Sequence, residues 1–217
     1  MRNRANVLVG APDVKAAGGM LIGPSAPAIA NYPKDAEEPI AVLQERLGLK
    51  PGGFITEDGI SKTVDRSTEK IKDWNGDTVV IVQSDHSVTL KLTFMESANA
   101  EVLKIIAGDN NVTISEDGKN ITVVDNADEL PHRALDAEIK GAAESRIRLF
   151  APDAQATEVG DVNFVRSGVI QYEVTFECFP DDDTNKLYQY IYRADADAPA
   201  DGGTGDGGDD SGETPTP

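Results

Sequence analysis

Two segments of the chain alternate between apolar and polar side chains at every residue. The apolar members are Val88, Leu90, Leu92 and Phe94 in residues 88–95, and Ile170, Tyr172, Val174, Phe176 and Cys178 in residues 170–178. Successive side chains of an extended strand point to opposite faces, so this period of two predicts strands with one buried and one exposed face. A chain with two such segments is expected to form at least one half-buried sheet.

Turn sequences separate further strand candidates along the chain. Asn75-Gly76 is the pair typical of a type I′ hairpin turn, and Asp58-Gly59, Asp117-Gly118 and Ser167-Gly168 supply other turns. We predict shorter strands at residues 54–56, 61–66, 78–83, 111–115, 121–124, 134–139, 145–150 and 161–166. The chain is therefore predicted to be mainly β, a meander of hairpins.

Two short helices interrupt the strands. Ser97 is the predicted N-cap of a helix at residues 98–107, which has one apolar face and ends at Gly108. The spacing of apolar residues in 40–47, before Gly48, predicts a second helix from a weaker pattern. We expect the helix at 98–107 to cover one face of a sheet.

The charge divides the chain into a body and a tail. The 217 residues carry a formal net charge of −18, and residues 194–217 hold seven acidic residues, no basic one, and many glycines and prolines. Such a composition cannot form a core, so residues 194–217 are predicted to be a flexible acidic tail. Residues 1–193, at a net charge of −11, are predicted to be one β-domain. It begins with an N-terminal arm (1–33) and a loop segment (34–53). The Gly- and Pro-rich residues 11–33 of the arm and the segment 34–53 are expected to grasp a neighbouring copy and to order on assembly.

The same charge argues against a protein that grips nucleic-acid phosphates, because such proteins present basic surfaces. A membrane span is also not expected: residues 16–33 lack charges but are broken repeatedly by Gly and Pro. A single cysteine, Cys178, excludes an intramolecular disulfide, and two histidines do not make up a zinc site with it.

No catalytic motif is present, so the chain is predicted not to be an enzyme and to need no cofactor or metal. Asp85-His86-Ser87 contains triad residue types, but adjacent residues of a strand point to opposite faces and cannot converge. His132 follows a proline and is predicted to lie in a surface loop. The three acids at 181–183 are better explained by a solvated turn than by a weak cation site.

Exposed sheet edges are the remaining functional feature. A strand edge either pairs with another chain or is blocked, and no proline blocks residues 78–96 or 161–179. Pairing with an identical copy is therefore the favoured interpretation, and a head-to-tail contact of this kind can close a ring. The alternative is a monomeric carbohydrate-binding or adhesin module, which the aromatic content of 6% and the single tryptophan favour less; a hydrolase is third.

Several stretches resemble a known family. They are residues 6–14 (NVLVGAPDV), 18–19, 21–24, 53–62 (GFITEDGISK), 62–79 (KTVDRSTEKIKDWNGDTV), 85–94 (DHSVTLKLTF) and 99–104 (NAEVLK). Together they are similar to the major tail proteins, or tail tube proteins, of long non-contractile-tailed phages (siphophages) that infect actinobacteria. The resemblance covers nearly all of residues 1–193.

The resemblance implies a β-sandwich or partial barrel with one flanking α-helix, in a virion protein assembled in the host cytoplasm. It implies hexameric rings stacked into a tube around a tape-measure protein, with phage DNA as transient cargo during genome ejection. Tail terminator, distal tail and tail chaperone proteins are further implied partners. An acidic channel wall would repel the DNA phosphates and let the duplex slide.

Two sets of residues are candidates for contact and channel surfaces. Gln171, Glu173, Thr175 and Glu177 are the polar members of the second alternating segment and are predicted to face the lumen. The turn Trp74-Asn75-Gly76-Asp77 is predicted to contact the next ring, because an exposed tryptophan at a hairpin tip is better accounted for by a partner than by water.

Overall fold

The computed structural model describes residues 8, 10–13, 19–26, 28–141 and 144–194. Most of these residues belong to antiparallel strands. The strands are β1 (Ala11–Pro12), β2 (Met20–Pro24), β3 (Lys50–Pro51), β4 (Ile55–Lys72), β5 (Thr78–Phe94), β6 (Val112–Ile114), β7 (Ile121–Val123), β8 (His132–Lys140), β9 (Arg146–Val159), β10 (Tyr172–Cys178) and β11 (Tyr188–Tyr192). The two α-helices are α1 (Ile40–Leu47) and α2 (Ala100–Ala107). The predicted mainly β fold is confirmed.

One large sheet contains nine of these strands in the order β3-β2-β8-β9-β10-β5-β4, with β1 added beside β8 and β11 beside β9. The sheet branches at β9, because the first part of that strand pairs with β11 and the last part with β10. Lys62 Nζ on β4 donates to Gln189 Oε1 on β11 at 3.0 Å and so joins the two branches. Strands β6 and β7 form a separate pair.

The main core lies on one face of the large sheet. Its alternating residues are buried as predicted: Val88, Leu90, Leu92 and Phe94 on β5, and Val174, Phe176 and Cys178 on β10. Helix α2 covers this face with Val102 and Ile105, and it packs against Val112 of the small sheet through Leu103 and Ala107. The helix begins at Ala100, with Asn99 as its cap: the Glu101 backbone N–H donates to Asn99 Oδ1 at 3.0 Å. The prediction that Ser97 caps it was wrong.

The other face of β2, β8, β9 and β11 is covered by residues 28–49, which include α1. Leu43 and Leu47 of α1 pack with Leu21 and Phe150 of the sheet in a second core cluster. Residues 34–53 thus pack on the sheet of their own chain, and their contact with a neighbouring copy stays a prediction. Much of the predicted arm lies outside the described residues, as does the acidic tail from residue 195 onward.

The connection from β9 to β10 also differs from the prediction. Residues 161–166 are not a strand but begin a loop that continues to residue 171. The ladder ends where the Gly160 N–H donates to the Glu173 carbonyl at 2.8 Å. Beyond that point Phe164 and Val165 are exposed, so no buried face holds the segment in a sheet.

Candidate assembly surfaces

Strands β4 and β5 extend beyond the rest of the sheet as a hairpin. Pairing of β5 with β10 ends at Thr89, opposite Glu177, whereas its pairing with β4 continues to Thr78, opposite Lys72. Eleven further residues of extended chain correspond to roughly 35 Å. Every residue from 67 to 85 is exposed, and we call this segment the hairpin arm.

The hairpin arm exposes aliphatic side chains on both of its faces. Val79, Val80, Ile81 and Val82 are consecutive and all exposed. Ile71 pairs with Val80 on one face, and Lys70 pairs with Ile81 on the other. A two-stranded hairpin is marginally stable in water without packing on a third element. An arm with this composition is therefore better suited to a contact with another chain than to solvent.

The tip of the arm places the predicted turn residues Trp74, Asn75, Gly76 and Asp77 in a five-residue loop. The Gly76 N–H donates to the Asp73 carbonyl at 3.1 Å, and the Asp77 N–H donates to Asp73 Oδ1 at 2.8 Å. Gly76 has φ of +91°, whereas Asn75 does not have a positive φ. A type I′ turn needs positive φ at both central residues, so that prediction was wrong. Trp74 is 102% exposed, so its side chain is not packed against the described part of its own domain.

The polar side of β10 carries the other predicted surface. Glu173, Thr175 and Glu177 alternate with buried residues and share one face, while Gln171 is exposed just before the strand. The two carboxylates are paired: Glu173 Oε1 lies 2.8 Å from Lys91 Nζ, and Glu177 Oε1 lies 3.6 Å from Lys186 Nζ. The hydrogen bond that Lys91 donates to Glu173 raises the pKa of Lys91. This strand is therefore less negative than its sequence alone predicts.

The strands on either side extend this surface with hydroxyl groups. Direct cross-strand partners share a face, and we call the whole set the polar face. Its members are Ser61, Thr63, Thr89, Lys91, Thr93, Gln155, Glu158, Glu173, Thr175 and Glu177. The threonines of β5 were visible in the sequence as polar alternating residues, but the register that aligns them with β4 and β9 was not. With three carboxylates and one lysine, the polar face is acidic and rich in small hydroxyl side chains.

Three charged side chains are buried where residues 34–49 pack on β8 and β9. Asp136, Glu138 and Arg148 are all less than 5% exposed. Arg148 Nε donates to Glu138 Oε1 at 2.6 Å, while its two Nη groups donate to the carbonyls of Asp35 and Glu38 at 2.6 and 2.7 Å. Arg148 thus attaches the segment before α1 to the sheet.

Asp136 is left without a donor in this cluster. Its Oδ1 lies 3.7 Å from Arg148 Nε, and neither carboxylate oxygen accepts a hydrogen bond from a described residue. Burial, followed by the neighbouring Glu138 charge, raises the pKa of Asp136 well above its usual value. Burial also raises the pKa of Glu138, although Arg148 opposes this. Two carboxylates can only accept, so a proton on Asp136 is needed for it to donate to Glu138.

The remaining candidate residues have structural partners. Asp85 Oδ1 accepts from the backbone N–H of His86 at 2.8 Å, not from its imidazole. His132 begins β8 instead of lying in a loop, with Nδ1 2.9 Å from Asp153 Oδ1. Burial raises the pKa of Cys178 to about 12, so its thiol is inert. In the part of the chain that the structure describes, no group of three His, Cys, Asp or Glu residues could hold a metal ion.

These surfaces define a mainly β protein whose exposed features are a hairpin and a polar sheet face. The family model for phage tail tube proteins matches residues 16–201, and the chain belongs to that family. It is a structural component of the virion tail and not an enzyme, and none of its described helices is long and apolar enough to cross a membrane. The comparison with curated proteins gave no match.

Remote structural similarities were also found. One is to a sheath-tube complex of an extracellular contractile injection system in the extended state, at 10% identity and TM-score 0.40, covering 64% of this chain and 86% of that one. Another is to the tube-terminating cap of the anti-feeding prophage, at 9% identity and TM-score 0.41, covering 88% and 100%. With TM-scores below 0.5 these similarities carry no further argument, and the family assignment rests on the family model.

Proposed function

We propose that this chain self-assembles into hexameric rings that stack into the tail tube of a phage with a long non-contractile tail. The tube surrounds a tape-measure protein and later conducts the DNA during ejection. The observation that carries the proposal is the hairpin arm, because 19 exposed residues with aliphatic side chains on both faces require a partner. Membership of the tail tube family supports a second copy as that partner.

Edge pairing between copies accounts for ring formation. Among the described strands β4 pairs with β5 on one side only and so presents an edge of 18 residues. An edge of this length, without proline, can add a strand of the next subunit through backbone hydrogen bonds. A contact of one edge with a different edge is heterologous, and it closes into a ring when the rotation permits.

We place the polar face toward the lumen, with Gln171 at its margin. Its carboxylates keep the wall negative, while Lys91 and Lys186 reduce the charge at Glu173 and Glu177. Repulsion of the phosphates acts over about 8 Å at physiological salt, and a wall without basic clusters gives the DNA no site for counterion release. Small hydroxyl side chains leave few groups that could hold the passing duplex.

The lumen placement is tested with Thr89→Lys combined with Thr93→Lys. Each new lysine lies opposite a carboxylate of β10, Glu177 and Glu173 respectively, so strand pairing is retained. We expect normal tubes and a slower or incomplete ejection, measured as DNA release from particles. A matched control, Thr113→Lys with Asn120→Lys, adds the same charge on the exposed small sheet. Equal ejection by the two variants would contradict the placement.

The arm tip, Trp74 to Asp77, is proposed as a contact between rings. Because Trp74 is fully exposed, Trp74→Ala is expected to leave the stability of the isolated subunit unchanged and to shorten the tubes formed. Tube lengths by electron microscopy and the melting temperature of the subunit are the two measurements. Lys119→Ala, in the exposed turn of the small sheet, is the control. Tubes of normal length would remove Trp74 from the contact.

The tube ends and the assembly pathway require other proteins. We propose a tail terminator and a distal tail protein at the two ends, and a tail chaperone that delays polymerisation in the cytoplasm of an actinobacterial host. The direct test of the function is negative-stain microscopy of the purified chain at rising concentration. Rings or tubes are expected; monomers at every concentration would instead favour the carbohydrate-binding or adhesin module.

A further inference from the structure

Asn75, at the tip of the hairpin arm, is the one asparagine of the chain that a glycine follows. An asparagine can react with its own backbone, because the nitrogen of the next residue comes within reach of the side-chain amide carbon. This reaction is slow where the next side chain crowds the nitrogen, and glycine has no side chain. A side chain at Gly76 would meet no atom of a described residue within 4 Å, apart from its chain neighbours. The space around the reacting nitrogen is therefore open.

The side chain of Asn75 is not held by a partner. All of residues 67–85 are exposed, and no hydrogen bond between described residues involves the Asn75 side chain. Other asparagines differ in this respect: the side-chain amides of Asn99, Asn111 and Asn126 each donate a hydrogen bond. The amide carbon of Asn75 can therefore turn toward the backbone without the loss of a side-chain hydrogen bond.

Two backbone hydrogen bonds restrain the reacting loop. The Gly76 N–H donates to the Asp73 carbonyl at 3.1 Å, and the Asp73 N–H donates to the Asp77 carbonyl at 2.9 Å. The first of these must break before the Gly76 nitrogen can turn toward the Asn75 side chain. Both bonds lie in an exposed two-stranded hairpin, where water can replace them, and such segments open at a small cost in free energy. The fold therefore restrains this loop only weakly.

We propose that Asn75 is a site of spontaneous covalent modification in the unassembled subunit. The Gly76 backbone nitrogen loses its proton to solvent and attacks Asn75 Cγ, so that a bond between this nitrogen and Cγ forms. The bond between Cγ and Nδ2 breaks, and the amide nitrogen takes up a proton and leaves as ammonia. Water then opens the succinimide ring at either of its two carbonyl carbons, which gives aspartate or isoaspartate at position 75. Water is the only other reactant.

Either product changes the tip of the hairpin arm. Aspartate places a third carboxylate in the loop that already holds Asp73 and Asp77, and so adds a negative charge. Isoaspartate also lengthens the backbone by one methylene, which displaces the Gly76 N–H from the Asp73 carbonyl. We expect modified subunits to be excluded from tubes, a consequence that rests on the proposed contact of the tip with the next ring. A subunit that stays unassembled therefore loses its ability to stack as it ages.

Peptide mass spectrometry of the wild-type subunit, kept dilute and unassembled at pH 8 and 37 °C, tests the site. Conversion exchanges an amide for a carboxyl group and so changes the mass of the peptide, and an isoaspartyl methyltransferase labels the isoaspartate product. We expect Asn75 to convert at least about tenfold faster than Asn120, which is also exposed but precedes the β-branched Ile121. A synthetic peptide of residues 70–80 supplies the reference rate. If Asn75 is intact once the peptide has fully converted, or converts no faster than Asn120, the site is overturned.

A partly converted wild-type sample tests the consequence for assembly. The sample is concentrated, tubes are pelleted, and the peptide that contains Asn75 is compared between the tubes and the unassembled fraction. We expect the modified form to be enriched several-fold in the unassembled fraction. An equal distribution would overturn the exclusion from tubes and leave the modification site and the proposed function intact. If no condition yields rings or tubes, the proposed function fails, whereas the conversion of Asn75 measured in the free subunit still establishes the site.

Discussion

Asp136 is the residue whose environment is least favourable to its usual charge. It is fully buried, beside Glu138, and the nearest guanidinium nitrogen is 3.7 Å away. Arg148 is already occupied by Glu138 and by two carbonyls of the segment that covers it. An ionised Asp136 would be an uncompensated buried charge, which costs far more than a protonated carboxyl. The cluster is therefore stable with a proton shared between the two acids.

The first prediction concerns Asp136→Asn. The pKa of Asp136 is raised by folding, so the stability that its proton supports is complete below the unfolded pKa of about 3.9 and is lost as pH rises toward the folded pKa. In Asp136→Asn the side-chain amide can donate a hydrogen bond at every pH. We expect the variant to be more stable than the wild type at pH 8, with the difference shrinking as the pH falls toward 4.

Urea unfolding across that pH range measures the difference, and Asp125→Asn, at an exposed carboxyl, is the control. A stability difference that stays constant with pH would show that Asp136 ionises normally in the folded chain.

The second prediction concerns Arg148. Replacing it by leucine leaves Glu138 and two carbonyls without their donor and removes the positive charge beside two buried acids. We expect a loss of about 3–5 kcal/mol in the free energy of unfolding. Lysine keeps the charge but cannot donate in the three directions that the guanidinium uses, so Arg148→Lys is expected to lose most of the same stability. A loss below about 1 kcal/mol for Arg148→Leu would mean that the buried charge cluster contributes little to the free energy of unfolding.

Arg148 could not be identified from the sequence, for a physical reason. In residues 146–150 the basic residues alternate with Ile147 and Leu149, a pattern that predicts a strand with its arginines in water. Leu149 is buried in the main core, as this pattern indicates. The other face is covered by residues 28–49, and local periodicity carries no information about which distant segment will lie there.

At the scale of elements, the length of the hairpin arm was also not predictable from local periodicity. Strands at 61–66 and 78–83 and the turn between them were predicted, but not that β4 would run for 18 residues and β5 for 17. Burial of one face makes a strand recognisable, and the arm has no buried face within the subunit. What the sequence did indicate was an exposed tryptophan at the tip, which is where the structure places it.

The third prediction concerns hydrogen exchange in this arm. In the dilute subunit, amides of residues 67–85 are expected to exchange much faster than those of 88–94, because only the latter pack on the core. In assembled tubes the arm is expected to become protected while residues 88–94 change little. Mass spectrometry of exchanged peptides measures both. An arm that is already protected in the monomer would be stable without a partner, and its exposed aliphatics would need another explanation.

At the scale of the whole molecule, charge opposes the assembly that the apolar surfaces favour. A subunit with a net charge of −18 repels its copies, and the repulsion extends over about 30 Å at 0.01 M salt but only about 8 Å at 0.15 M. The free energy gained by burying the aliphatic side chains of the hairpin arm changes little with salt over this range. The concentration needed for tube formation is therefore expected to fall as salt is added.

The fourth prediction concerns how much the acidic tail, residues 194–217, contributes to this repulsion between subunits. Residues 194–217 carry seven of the negative charges, so replacing all seven acids by their amides removes charge while keeping length. We expect this variant to assemble at lower concentration than the wild type at 0.01 M salt, and at the same concentration at 0.5 M, where screening removes the difference. Light scattering across a concentration series gives the threshold.

A chain ending at residue 194 is the companion variant, because it removes length together with charge. If charge alone acts, the two variants have the same threshold at every salt concentration. A lower threshold for the shortened chain at 0.5 M would indicate that the tail also occupies space between subunits. If the amide variant matched the wild type at 0.01 M, the tail would take no part in the repulsion, and the −11 of residues 1–193 would account for it alone.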